Sequence, residues 1–194
     1  EYISFKRKIF RRLNIYLFGY HSNRVLLSSN TVRKTLKKIN FEAYKKSDVL
    51  KPTFSNLPIK SFKSIEYIKK KFNIKNNYFF LPNHFWTHKN HILVLQSLIE
   101  LKKIKKLKNI KIVCTGLFND YRNLNHKNKI IEYIKINRLE NNFIILGIVN
   151  FDELMSLMKY SIAVINPSKS EGWSSTVEQA KSMGKFVLLS NLPV

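Results

Sequence analysis

The stretch SIAVINPSKSEGWSSTVEQAKSMGKFVLLS, residues 161–190, holds two apolar runs of strand length, Ser161–Ser168 and Phe186–Ser190. Between them, Val177, Ala180 and Met183 recur at the spacing of one helix face, which predicts a helix over about 175–183. Strand, helix and strand in that order make a βαβ unit, and its crossover returns the chain so that the two strands run parallel. The polar loop around Glu171 and Gly172 then leaves the carboxyl end of the first strand. In parallel sheets that is the end where ligands bind.

The same pattern continues upstream. YFFLPN (78–83), NIKIVCTG (109–116) and NFIILG (142–147) read as buried strands. KNHILVLQSLIELKKI (89–104), a polar segment at 125–137 and NFDELMSLMKY (150–160) read as helices, the last opened by Asn150 three residues before Glu153. Strands apolar throughout and separated by helices imply a Rossmann-like parallel α/β sheet covered on both faces. Residues 1–54 form a separate piece: a basic aromatic helix, FKRKIFRRLNIYLF (5–18), a strand at 24–29, a helix at 31–39 and a strand at 48–54. Pro58 and its polar flanks mark 55–60 as a linker, so the second domain is expected over 61–194. The chain opens on Glu1 and closes without a final helix, which suggests an internal fragment, incomplete at both ends.

Charge raises a different hypothesis. Lys and Arg number 35 against 12 Asp and Glu, a net charge of +23. Phosphates reward clustered cations, so a basic nucleic-acid-binding protein is one reading. Against it, 28 of the cations are Lys and only 7 are Arg, and base-edge recognition favours arginine. The lysines also spread over most of the helices, so nucleic acid is not the expected partner. The basic helix at 5–18 is expected to face a core with its charged side solvated; lying on an anionic membrane is the other reading. A single cysteine, Cys114, forms no internal disulfide and fits a reducing cytoplasm, where it reads as a small buried hydrophobe. No apolar run approaches the ~20 residues that span a bilayer. Five histidines and one cysteine show no zinc-ligand spacing, and no Asp-x-Asp cluster suggests another metal.

EGWSST (171–176) places a glycine and three hydroxyls where a strand feeds a helix. Free backbone N–H groups there suit a phosphate, although a plain strand–helix turn with a serine cap uses the same residues. Here a resemblance enters. NYFFLPNHFWTHKNHILVLQSLIEL (77–101) and INPSKSEGWSSTVEQAKSMGKFVLLSNLPV (165–194) resemble the carboxyl-terminal domain of family 4 glycosyltransferases. KIVCTG (111–116) and FIILGIVNFDELMSLMKYS (143–161) extend the likeness, and VLLSSNTVRKTLKKI (25–39) resembles the end of that family's amino-terminal domain. These are retaining, nucleotide-sugar-dependent enzymes of GT-B fold.

The resemblance implies a site. Glu171 would contact the donor sugar and Lys89 the donor diphosphate, as the catalytic pair. Gly172, Trp173, Ser174 and Ser175 would belong to the donor loop, with Trp173 either packing under the site or wedging the helix. Gly116 and Gly147, at two strand ends, complete the donor-binding set. Five residues before Lys89 the family carries an arginine; here His84 stands in its place, a weaker phosphate partner when neutral. His88 and His91 read as positional or surface residues. The family also places seven residues between two glutamates, whereas six separate Glu171 from Glu178, and the matching position is Gln179. At 100° per residue Glu178 falls opposite the apolar face, toward water, and Ser175 with Glu178 has the capping-box pattern. Gln179 would then face the ribose. The implied reaction moves a sugar from a nucleotide-sugar to a glycan or lipid-linked acceptor hydroxyl with retention, in bacterial surface polysaccharide or glycolipid assembly. No metal or cofactor is expected, and the expected place is the cytoplasm, with peripheral contact at the membrane. A noncatalytic nucleotide-sugar-binding remnant is the remaining alternative.

Overall fold

The structure, a computed structural model, describes residues 5–53, 62–75 and 77–193. The expected linker at 55–60 lies outside the described residues. The chain divides into two compact units. The first gathers the described residues up to Thr53 with Glu171–Ser175 and those from Leu192 on; the second holds the rest.

In the first unit, helix α1 (Phe5–His21) leads to strand β1 (Val25–Leu27), helices α2 (Asn30–Ile39) and α3 (Phe41–Lys45), and strand β2 (Ser47–Val49). β1 and β2 pair in parallel. Ser29 caps α2 by accepting the Val32 N–H, and Asn40 caps α3 by accepting the Ala43 N–H. Gly19 lets α1 cross α3 closely, because a Cβ there would lie 2.6 Å from the Ala43 Cβ. α1 does not bury an apolar face as the sequence suggests. Gly19 is its one buried residue, and Phe5, Phe10, Phe18 and Tyr20 are all more than 60% exposed. Among the described residues of this unit, two short strands and two small helices offer too little surface to cover a 17-residue helix.

The second unit is built on five parallel strands in the order β5-β4-β3-β6-β7. β3 is Phe79–Pro82, β4 Ile112–Thr115, β5 Phe143–Ile145, β6 Ala163–Asn166 and β7 Phe186–Leu189. Helices α4 (Ile65–Phe72), α5 (His91–Lys103), α6 (His126–Ile136), α7 (Phe151–Tyr160) and α8 (Ser175–Ser182) alternate with them. The period of two along each strand sorts the core into two layers. Phe80, Val113 and Val164 point into one, with Ile68 of α4, Met155 and Met158 of α7 and Ala180 of α8. Leu81, Ile112, Cys114 and Phe143 point into the other, with Leu95 and Leu98 of α5 and Ile130 and Ile134 of α6. The fold is therefore the expected α/β sheet with helices on both faces.

Two details differ from the sequence reading. α4 was not anticipated, since the three lysines at 69–71 mask its single buried residue, Ile68. Ser64 starts it by accepting the Tyr67 N–H, and Asn73, left-handed at φ 51°, ends it. α5 begins at His91 rather than Lys89, because Asn90 is left-handed at φ 59° and separates the helix from a 3-10 turn at Thr87–Lys89.

Candidate functional site

β3 and β6 are neighbours from which the strand order runs outward in opposite directions, the switch point where parallel sheets open a crevice. Their carboxyl ends are tied together. The Asn166 Oδ1 accepts from Asn83 Nδ2 at 3.3 Å and from Ser168 Oγ at 2.9 Å. Asn90 Nδ2 donates to the Pro167 carbonyl at 3.2 Å, and the Lys169 N–H donates to the His88 carbonyl at 2.8 Å. Residues 83–90, which include His84 and Lys89, are thus fastened along their length to the chain leaving β6.

The ends of β4 and β5 join on the other side. The Gly116 N–H donates to the Gly147 carbonyl at 2.7 Å. Gly116 sits at φ 125°, and a Cβ there would come within 2.8 Å of the backbone of Asn83 and His84. The glycine is what lets β4 end so close to β3. Just beyond it, the Leu117 N–H donates to His84 Nδ1 at 2.8 Å, and the Phe85 N–H donates to the Leu117 carbonyl at 2.9 Å. With Nδ1 accepting, the His84 proton resides on Nε2, so this exposed ring offers one N–H donor. Gly147 is also left-handed, at φ 73°, but nothing lies within 4 Å of where its Cβ would be. His84, Lys89, Gly116 and Gly147 are thereby assembled on connected strand ends.

Beneath the turn lies a group that sequence reasoning passed over. Asp120 is 2% exposed. Its carboxylate accepts from the Thr87 N–H (2.9 Å) and Oγ1 (3.1 Å) and from the Arg122 N–H (3.0 Å) and Nε (2.9 Å). Burial pushes this carboxyl up, but the hydrogen bonds from Thr87 and Arg122 overcome it and bring the pKa to about 2. The Arg122 guanidinium lies 4.7 Å from the Trp86 ring centroid. His91 is fully buried and stacked on Phe85 at 4.1 Å. Burial, with repulsion from His126, pulls its pKa down to about 3, so it is a neutral core residue. An Asp in the polar loop FNDYRN gives no sign in the sequence that it will be buried.

Glu171–Ser175, the expected donor loop, belong to the first unit. There, a Cβ on Gly172 would meet Val32 Cγ2 at 3.3 Å and Ser28 Oγ at 3.5 Å, and Trp173 Nε1 donates to the Pro52 carbonyl at 2.9 Å. Trp173 therefore anchors its loop through its indole N–H. On α8, Gln179 is half-buried, and its carbonyl accepts from Ser182 Oγ at 2.8 Å. Glu178 departs from expectation. The helix starts at Ser175, which puts that serine inside its first turn instead of ahead of it. Glu178 pairs with Lys181 at 3.0 Å, and its side chain is only 12% exposed. It lies along its own helix instead of reaching into water.

Residues 64–194 match the family model of glycosyl transferases, group 1. The chain belongs to that family. Solved glycosyltransferases share its fold. The Anabaena protein Alr3699/HepE, solved with UDP and glucose, is 16% identical with a TM-score of 0.76, covering 93% of this chain and 47% of its own. A Rickettsia africae glycosyltransferase is 21% identical (TM-score 0.69; 91% and 48%). WaaG, a glycosyltransferase involved in lipopolysaccharide biosynthesis, is 14% identical (TM-score 0.74; 97% and 50%). This group 1 glycosyl transferase chain spans about half the length of the structures it matches. No curated protein matches it in sequence. Among the described residues, no helix is long and apolar enough to cross a membrane, and no group of three His, Cys, Asp or Glu is placed to hold a metal ion.

Proposed function

We propose that this chain is the donor-binding part of a retaining, family 4 glycosyltransferase. It would move a sugar from a nucleoside-diphosphate sugar to an acceptor hydroxyl on a glycan or lipid-linked chain. The observation that carries the proposal is the hydrogen-bonded joining of the carboxyl ends of β3, β4 and β6, with the turn that holds Lys89 fastened to them. The Lys89 ammonium would offset charge that builds on the leaving diphosphate as the glycosidic bond breaks. The His84 Nε2–H would add one neutral hydrogen bond to the same phosphates. Glu171 would hold the sugar, the backbone and hydroxyls of 172–175 the phosphates, and Gln179 the ribose. UDP in the Anabaena neighbour supports a nucleotide donor. The setting would be bacterial surface polysaccharide or glycolipid synthesis, at the cytoplasmic face of the membrane, without a metal cofactor.

The test is calorimetric titration of the chain with UDP and GDP, and separately with duplex DNA, at two salt concentrations. Saturable, salt-tolerant diphosphate binding, lost in Lys89→Ala and in Glu171→Ala, is the expected result. Binding to DNA alone, with a steep salt dependence, overturns the proposal.

A further inference from the structure

Asp120 has no part in donor binding as proposed above, yet its carboxylate accepts four hydrogen bonds. Two come from Thr87, the first residue of the 3-10 turn that ends in Lys89. The other two hold Arg122, whose guanidinium lies against the ring of Trp86, the residue before that turn. Asn123 Nδ2 adds a bond to Thr87 Oγ1 at 3.4 Å. Residues 120–123 therefore grip the entry of the turn. Its exit is held from the other side, by the Lys169 N–H on the His88 carbonyl and by Asn90 Nδ2 on the Pro167 carbonyl. Lys89 sits between the two attachments.

The turn has little hold on its own shape. Its backbone bonds are Lys89 N–H to the Trp86 carbonyl at 2.8 Å and Asn90 N–H to the Thr87 carbonyl at 3.3 Å. A three-residue 3-10 segment with two such bonds is a weak element, and external contacts set its path. A buried carboxylate is costly unless its partners satisfy it. Here half of those partners are groups of Thr87, and Asp120 itself lies in the loop between β4 and α6, outside both apolar layers. The geometry points to Asp120 as a positioning residue that sets the Lys89 ammonium for the β-phosphate of a nucleoside diphosphate. The inference rests on the reading of Lys89 as a diphosphate ligand.

The experiment compares diphosphate with monophosphate binding by the full chain, using UDP with UMP and GDP with GMP. The preference for diphosphate isolates what is gained at the β-phosphate. A preference of about tenfold, reduced to about onefold in Lys89→Ala, is the size of one charge-assisted hydrogen bond. Asp120→Asn keeps the shape but turns an amide N–H₂ toward one of the donors. It is expected to lower diphosphate affinity about fivefold while monophosphate affinity stays within about twofold. The double variant should bind no more weakly than Lys89→Ala alone, because the two act through one contact.

Equal weakening of mono- and diphosphate, or a full additive loss in the double variant, overturns the positioning role. A wild-type chain without diphosphate preference, or a preference that survives Lys89→Ala, overturns the reading of Lys89 itself. Should Asp120→Asn fail to fold, Thr87→Val removes the Oγ1 bond and keeps the backbone one. It should then lower the preference about twofold, and an unchanged preference counts against the role.

Discussion

Gly116→Ala should be the most damaging small change at the joined strand ends. The added Cβ would stand 2.7 Å from the Asn83 carbonyl oxygen and 2.8 Å from both the Asn83 carbonyl carbon and the His84 nitrogen. These are backbone atoms, so no side-chain rotation relieves the contact. Relief requires the end of β4 to move away from β3, which pulls on Gly116 N–H···Gly147 O (2.7 Å) and Leu117 N–H···His84 Nδ1 (2.8 Å). Overpacking of this kind costs ~1–3 kcal/mol, and alanine at φ 125° adds ~1–2 kcal/mol of backbone strain. Together they come to about 2–5 kcal/mol. Gly147→Ala is the control, since it shares the positive φ but meets nothing within 4 Å, and about 1 kcal/mol is expected there. Urea unfolding followed by Trp86 emission reads the second unit when Trp173, the other tryptophan, is replaced by Phe in every variant. With a urea slope of about 2 kcal/mol/M, Gly116→Ala should lower the midpoint by about 1–2.5 M at constant slope. A midpoint within about 0.3 M of the Gly147→Ala control would refute the collision argument.

His91 should make the second unit acid-sensitive. Its pKa falls to about 3 in the fold from 6.5, so the unfolded chain takes up a proton first as pH drops. Stability present above about pH 6.5 is then lost progressively toward pH 3, by on the order of 4 kcal/mol. His91→Phe, which keeps an aromatic ring beside Phe85, should flatten that slope; an unchanged pH profile counts against it. Glu178→Gln removes a pair with Lys181 that is partly open to water, so a cost under about 1 kcal/mol and unchanged UDP affinity are expected by denaturation and calorimetry. An affinity loss matching that of Glu171→Ala would place Glu178 in the site. The exposed aromatics of α1, interspersed with Lys6, Arg7, Lys8, Arg11 and Arg12, should carry the chain onto anionic phosphatidylglycerol vesicles but not neutral phosphatidylcholine ones. Sedimentation of Phe10→Ser and Phe18→Ser variants checks this, and undiminished binding rules out α1.

The fold was legible because its central strands β3, β4 and β6 are largely buried and most of its helices carry their period in plain view. Phe79–Pro82, Ile112–Thr115 and Ala163–Asn166 sit inside apolar runs that no surface segment would tolerate. Elements whose stability comes from elsewhere were harder. α4 contributes one buried residue and a run of lysines, so its identity depends on Ser64, Asn73 and the α7 residues that Ile68 meets. The reading of α1 failed for a related reason. A helix with aromatic and basic residues all round has no single stripe, so periodicity cannot say whether a core receives it.

For the candidate site, the sequence offers residues whose chemistry is local and is silent on those whose surroundings depend on burial. Gly116 could be placed at a strand end from the pattern around it, but the need for glycine came only from the approach of Asn83 and His84, 32–33 residues away. Glu178 shows the limit of angular reasoning. An ideal helix sets Glu178 opposite Ala180, toward water, yet its side chain is only 12% exposed and pairs with Lys181. Asp120 is the stronger case. In FNDYRN it is one polar residue among several, and a helical or strand period has nothing to say about it. What distinguishes it is the coincidence of Thr87 and Arg122 around one buried carboxylate, brought together by the pairing of β3 with β4. If the Lys89 turn is held from outside in this way, diphosphate affinity depends on a loop that touches no ligand. Substitutions at Asp120 or Thr87 should then change the discrimination between diphosphate and monophosphate, while substitutions in the apolar layers change stability alone.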